Sequence, residues 1–130
     1  VSDFEDTTRN HLSGLIAQAY YDLTVVCAGL PIAIVLPARV GNEIVLTDAI
    51  PAVRRAMILI EEQPLPEDPK DTFVAACAYW LAATDVFTML IVNGFHTARA
   101  LSAATVLNDA DEKLREISTW LADRWLEGTE

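Results

Sequence analysis

The stretch from Phe73 to Val92, FVAACAYWLAATDVFTMLIV, constrains this chain more than any other, because seventeen of its twenty residues are apolar and Asp85 is its only charge. Phe73, Cys77, Trp80, Thr84, Phe87 and Ile91 recur at heptad spacing, which puts them on one stripe of an α-helix. Ala75, Tyr79, Ala82, Val86 and Leu90 form a second stripe, so the helix is expected to have neighbours on several sides. Asp68 and Pro69 supply a cap and a first-turn proline, and Asn93 with Gly94 supplies residues that end a helix. A central helix over about 69–93 follows.

A run of this length also meets the criterion for a membrane span. Three features weigh against that reading. An acid such as Asp85 inside a span costs about 2.5–3.5 kcal/mol. No cluster of Lys and Arg flanks the run to set an orientation. The other long apolar run, Leu23 to Leu36, is interrupted by Gly29 and Pro31. A buried core helix accounts for the same residues with fewer conditions.

Before the central stretch, Leu12, Leu15, Ile16, Ala19, Tyr20 and Leu23 repeat at helical intervals, so a first helix is expected from near Asp3, or from a later cap at Asp6 or Thr7, to the stop at Gly29-Leu30-Pro31. Ile32 to Leu36 and Glu43 to Thr47 are short runs rich in β-branched residues around turn residues, which suggests a small hairpin near 32–47. Thr47 or Asp48 can cap a second helix with Ile50, Val53, Met57 and Ile60 on its apolar face. The proline-rich QPLPEDPKD, from Gln63 to Asp71, reads as an extended surface connection. Beyond Asn93-Gly94, a helix is expected over Phe95 to Leu107. A restart follows at Asn108-Asp109, where Asp109 and Glu112 have capping-box spacing, and Leu114, Ile117, Leu121 and Trp125 give the last helix its stripe. The chain thus reads as mainly α, one domain over 1–130 with four or five helices around the central one.

Nineteen acids against nine Lys and Arg give a net charge of −10. That balance argues against binding nucleic acid or anionic membrane through a basic surface. Cys27 and Cys77 lie in apolar runs without CxxC spacing and read as reduced, buried thiols. The opening VSDFEDTTRN is acidic and unlike a targeting peptide, which points to a cytoplasmic protein.

Three functional readings arise. The first is a small non-enzymatic interaction or regulatory protein, a homodimer or a subunit of an assembly. Its interface would use Trp120, Leu121 and Trp125, or the hairpin, because 52% hydrophobic residues is a high share for so small a chain and aromatics favour interfaces; the tryptophans would otherwise complete the core. The second is a ligand-binding or enzymatic helical domain built on Asp85, Asn93, His96 and Arg99. An antiparallel hairpin about Asn93-Gly94 brings Arg99 within about 4–5 Å of Asp85 along the axis. Such a contact reads first as a buried ion pair fixing the hairpin, and alternatively as an anion-binding pocket. The third is a phage-type inhibitor that mimics nucleic acid, although most acids sit where helix starts already favour them. No spacing of His or Cys fits a metal, and no phosphate loop or nucleophile motif is present, so no cofactor is expected.

Overall fold

The computed structural model describes residues 2–38 and 43–128, and these form four helices that pack together. Helix α1 spans Ser2–Ala28, α2 Leu46–Leu59, α3 Glu67–Val92 and α4 Thr97–Gly128, with a 3-10 turn at Ile60–Glu62 closing α2. The mainly α architecture matches the periodicity. In α1, Leu12, Ile16, Ala19, Tyr20, Leu23, Val26 and Cys27 are buried, a stripe with the spacing of one helix face.

Helix α3 packs against each of the other three helices. Its first stripe goes inward over most of its length: Phe73, Cys77, Trp80 and Thr84 are buried and Phe87 is half-buried, while Ile91 near the helix end is exposed. Trp80 is 0% exposed, its ring lies 5.6 Å from that of Tyr20, and its Nε1 donates to the Ile16 carbonyl of α1 at 3.1 Å. The second stripe is less enclosed, with Leu90 buried, Tyr79 and Val86 half-buried and Ala82 exposed. By length and hydropathy α3 alone among the described helices is long and apolar enough to cross a membrane. Asn93 ends it, donating its N–H to the Met89 carbonyl, and Gly94 follows at φ 89°. That left-handed backbone favours glycine.

The turn folds α4 back along α3, their contact being the most extensive in the molecule. Buried alanines Ala76, Ala83, Ala103 and Ala110 allow the close approach. Helix α1 runs parallel to α4. Phe4 meets Phe95 edge to face at 6.0 Å near one end, and Leu121 lies beside Gly29 at the other.

The structure differs from the sequence expectations in four places. Helix α4 is continuous, with no restart at Asn108-Asp109. Leu107, Ala110, Leu114 and Ile117 form one unbroken buried stripe, and a break would take half of it out of register with α3. The β-hairpin near 32–47 is not seen. No strand ladder occurs among the described residues, Leu46 and Thr47 already belong to α2, and the expected turn over 39–42 lies outside the described residues. Helices α2 and α3 start without a side-chain cap, α2 at Val45 rather than Thr47 or Asp48 and α3 at Pro66 rather than Asp68. The connection after α2 is partly buried rather than a surface strap. Gln63 is 4% exposed, its Nε2 donating to the Ile32 carbonyl and its Oε1 accepting from the Ile32 N–H, while Lys70 donates to the Glu61 carbonyl at 2.9 Å.

One cross-helix feature opposes folding. Asp22 of α1 and Asp111 of α4 line the same small cleft with Arg115. Burial first, then the Asp22 charge, push the Asp111 carboxyl above the ordinary range, with Arg115 pulling the other way. A carboxyl whose pKa is raised on folding stabilises the fold while protonated, and that contribution is lost as pH rises through the folded value. Asp111→Asn is therefore expected to raise the melting temperature at pH 7 by about 1–4 °C, a small gain because water screens the partly open site. Melts repeated below the ordinary aspartate range should show wild type and variant converging.

Candidate interaction surfaces

Helix α4 is 32 residues long, about 48 Å. Leu121 is level with Gly29, the residue just past α1, so the final turns of α4 extend beyond the end of α1. The amphipathic pattern does not stop there. Trp125 and Leu126 remain 70% and 60% exposed. Trp120, one turn earlier, is half-buried, with the Arg124 guanidinium 5.3 Å from its ring centroid. That stacking covers one face of the indole with a cation. Leu121 is half-buried and packs against the core. Of the three sequence-derived interface positions, Trp120 and Leu121 border the core and Trp125 faces outward.

A second surface lies beside the segment expected as the first strand of the hairpin. Residues 32–38 leave the end of α1 and run beside α2, leaving a groove of about 920 Å³ between them. Ile34 and Leu36 turn inward and are buried, whereas Ala33, Val35 and Pro37 are exposed, the alternation of an extended strand. Val35 is 90% exposed. The segment is pinned from one side and at its end: the Ile34 N–H donates to the Cys27 carbonyl, Gln63 holds Ile32, and the Tyr20 hydroxyl donates to the Pro37 carbonyl. Across the groove stands a ridge of α2 carrying Asp48, Ala52, Arg55 and Leu59, continued by Glu62. The β-branched run from Ile32 to Leu36 is the sequence signal for this segment. Its lack of a partner strand was not written there.

The polar group built on Asp85, Asn93, His96 and Arg99 takes a different form from the one expected. Asp85 is exposed, Arg99 is half-buried, and the ion pairs among the described residues are Arg9–Asp6, Lys70–Glu67 and Lys113–Glu116. The expected buried Asp85–Arg99 pair is not formed. Thr84 and Ala83 face inward, which turns Asp85 toward solvent with Ala82 and Thr88. Asn93 is exposed at the end of α3. His96 starts α4: its Nδ1 accepts from the Ala98 N–H at 3.2 Å and its carbonyl from the Ala100 N–H at 3.1 Å, the two bonds of a helix N-cap.

Cys27 and Cys77 are buried free thiols, and burial pushes Cys27 up to about 12 and raises Cys77 as well. Neither is a nucleophile at neutral pH. No group of three or more His, Cys, Asp or Glu placed to hold a metal occurs among the described residues. No protein-family model, curated protein or solved structure matches this chain.

Proposed function

We propose that this chain is a small acidic, non-enzymatic interaction protein that self-associates as a homodimer through the projecting end of α4. The observation that carries the reading is the exposed Trp125-Leu126 pair on a helix end that outruns α1. Tryptophan is strongly enriched among residues that dominate binding energy, and an aromatic held on a rigid helix loses little freedom when covered. A symmetric pair of copies brings the same patch together twice, so one apolar helix end suffices for both sides of the contact. The net charge of −10 keeps such a patch from driving unlimited aggregation.

Native mass spectrometry and sedimentation equilibrium test the proposal. Wild type is expected at twice the 14.3 kDa monomer mass. Trp125→Glu should shift the equilibrium to monomer, with Kd raised at least about thirtyfold, as for loss of a hot-spot side chain. Because Trp125 adds nothing to the core, helicity should be unchanged. A wild-type protein that stays monomeric at high concentration sinks the homodimer, and a wild-type protein recovered with a different chain would place it in a mixed assembly instead.

A further inference from the structure

The groove beside α2 has two properties that together specify what fits it. The first is an open backbone edge. Ile34 spends its N–H on Cys27, toward α1. Ala33 and Val35, which alternate with it and so point their amide groups the other way, make no hydrogen bond to any other residue. An exposed stretch of extended chain with free N–H and C=O groups is a template for another strand. No charged residue lies between Gly29 and Ala38 to oppose that pairing, and Pro31 and Pro37, which have no N–H to offer, bracket the edge.

The second property is the charge order along the facing wall. Asp48 stands at the Pro37 end and Glu62 at the Ile32 end, with Arg55 between them and Ala52 and Leu59 filling the intervals. Fourteen positions of mostly α-helical rise separate the two acids, about 21 Å. An extended peptide covers that distance in about six residues.

We propose that this groove binds an extended segment of a partner protein by strand addition to Ala33 and Val35, the segment being apolar at alternate positions and carrying basic residues about six apart that face Asp48 and Glu62. Backbone pairing supplies the affinity and the two acids fix the register. This surface is separate from the end of α4, so it stands whether or not the chain dimerises there.

The test uses the full chain and a fluorescent heptapeptide, Lys-Thr-Val-Thr-Val-Thr-Lys, whose lysines and valines share the face turned to α2, with fluorescence anisotropy as the readout. Saturable binding is expected, at least about tenfold tighter than for the same peptide with glutamate at both ends, and weaker at higher salt. Two further peptides, N-methylated on alternate residues of one parity or the other, distinguish strand addition from mere charge attraction. One should lose binding and the other keep it, because only one edge of the guest pairs with the protein. Val35→Pro removes a donor from the host edge without touching the core, and should weaken the unmethylated peptide about tenfold; if that variant melts early, the methylated pair decides the matter on the unaltered protein. Equal binding of both methylated peptides, or of the lysine- and glutamate-ended ones, overturns the proposal, as does no binding at all. A change in the subunit number of Val35→Pro would assign the edge to a second copy of this chain and likewise overturn it.

Discussion

Trp80→Ala is expected to destabilise the protein by about 3–5 kcal/mol, the largest loss of any single side chain in the core. Trp80 is among the largest fully buried side chains and sits where α3 meets α1, so its removal leaves a cavity between two helices rather than at an edge. The rings of Tyr20 and Trp80 lose each other, and so does the bond from the indole N–H to the Ile16 carbonyl. Domains of this size typically have about 5–15 kcal/mol in all, so the variant should unfold near physiological temperature. Trp80→Phe separates the contributions: the smaller ring keeps most of the packing and removes the donor, and should cost about 1–2 kcal/mol. Urea unfolding followed by far-ultraviolet circular dichroism measures both, with an unchanged slope showing that the loss belongs to the native state. A cost below about 1 kcal/mol for the alanine variant would mean that Trp80 does not join α1 to α3.

How far such a core can be read from sequence depends on whether a property is periodic or tertiary. The stripe through Phe73, Cys77, Trp80 and Thr84 repeats at fixed intervals, so its burial is legible without knowing what covers it. Ile16, whose carbonyl accepts the indole N–H, lies sixty-four positions away and is marked by nothing local. Asp85 shows the limit of level-matching. Two residues at equal height on antiparallel helices touch only if both also face the interface, and at that height Thr84 is buried while Asp85 is open to solvent. Residue spacing along the chain speaks to height and leaves the azimuth open.

The extended segment shows the same division. Burial alternating from Ala33 to Pro37 follows from the period of a strand, and the run of β-branched residues announced it. A hairpin also required a second strand, which the amphipathic start of α2 takes up at Leu46. Gln63 then supplies from its side chain the donor and acceptor that a neighbouring strand would have given Ile32. A glutamine inside a proline-rich connection carries no sequence mark of that role. Of the candidate sites, the aromatic end of α4 was legible as an unspent stripe, whereas the groove depends on two segments that meet only in the fold.

Asp109 offers the sharpest discrimination between local signal and tertiary packing, because its two readings predict effects of opposite sign. As the cap of a restarted helix, Asp109 would be worth about 1 kcal/mol, and alanine there would be destabilising. Inside the continuous α4, where Asp109 is half-buried between Leu107 and Ala110, alanine is the better helix former and should be neutral or stabilising by up to about 0.5 kcal/mol. Asp109→Pro is the complementary change. It removes an interior N–H and drives the ring against the preceding turn, at a cost of about 3 kcal/mol or more. The kink would also swing the distal half of α4, so Leu114 and Ile117 would leave their seats against the core and the exposed Trp125 would change its bearing relative to α1. Thermal and urea unfolding of the two variants, read with helicity at 222 nm, decide the question. Alanine tolerated and proline disruptive is the expected pair of outcomes; alanine harmful and proline mild would mean that the helix restarts at Asp109. The capping-box spacing of Asp109 and Glu112 is common on any acidic, solvated helix face, and the buried line from Leu107 through Ala110 and Leu114 to Ile117 outweighs it, because breaking that line would expose several apolar side chains at once.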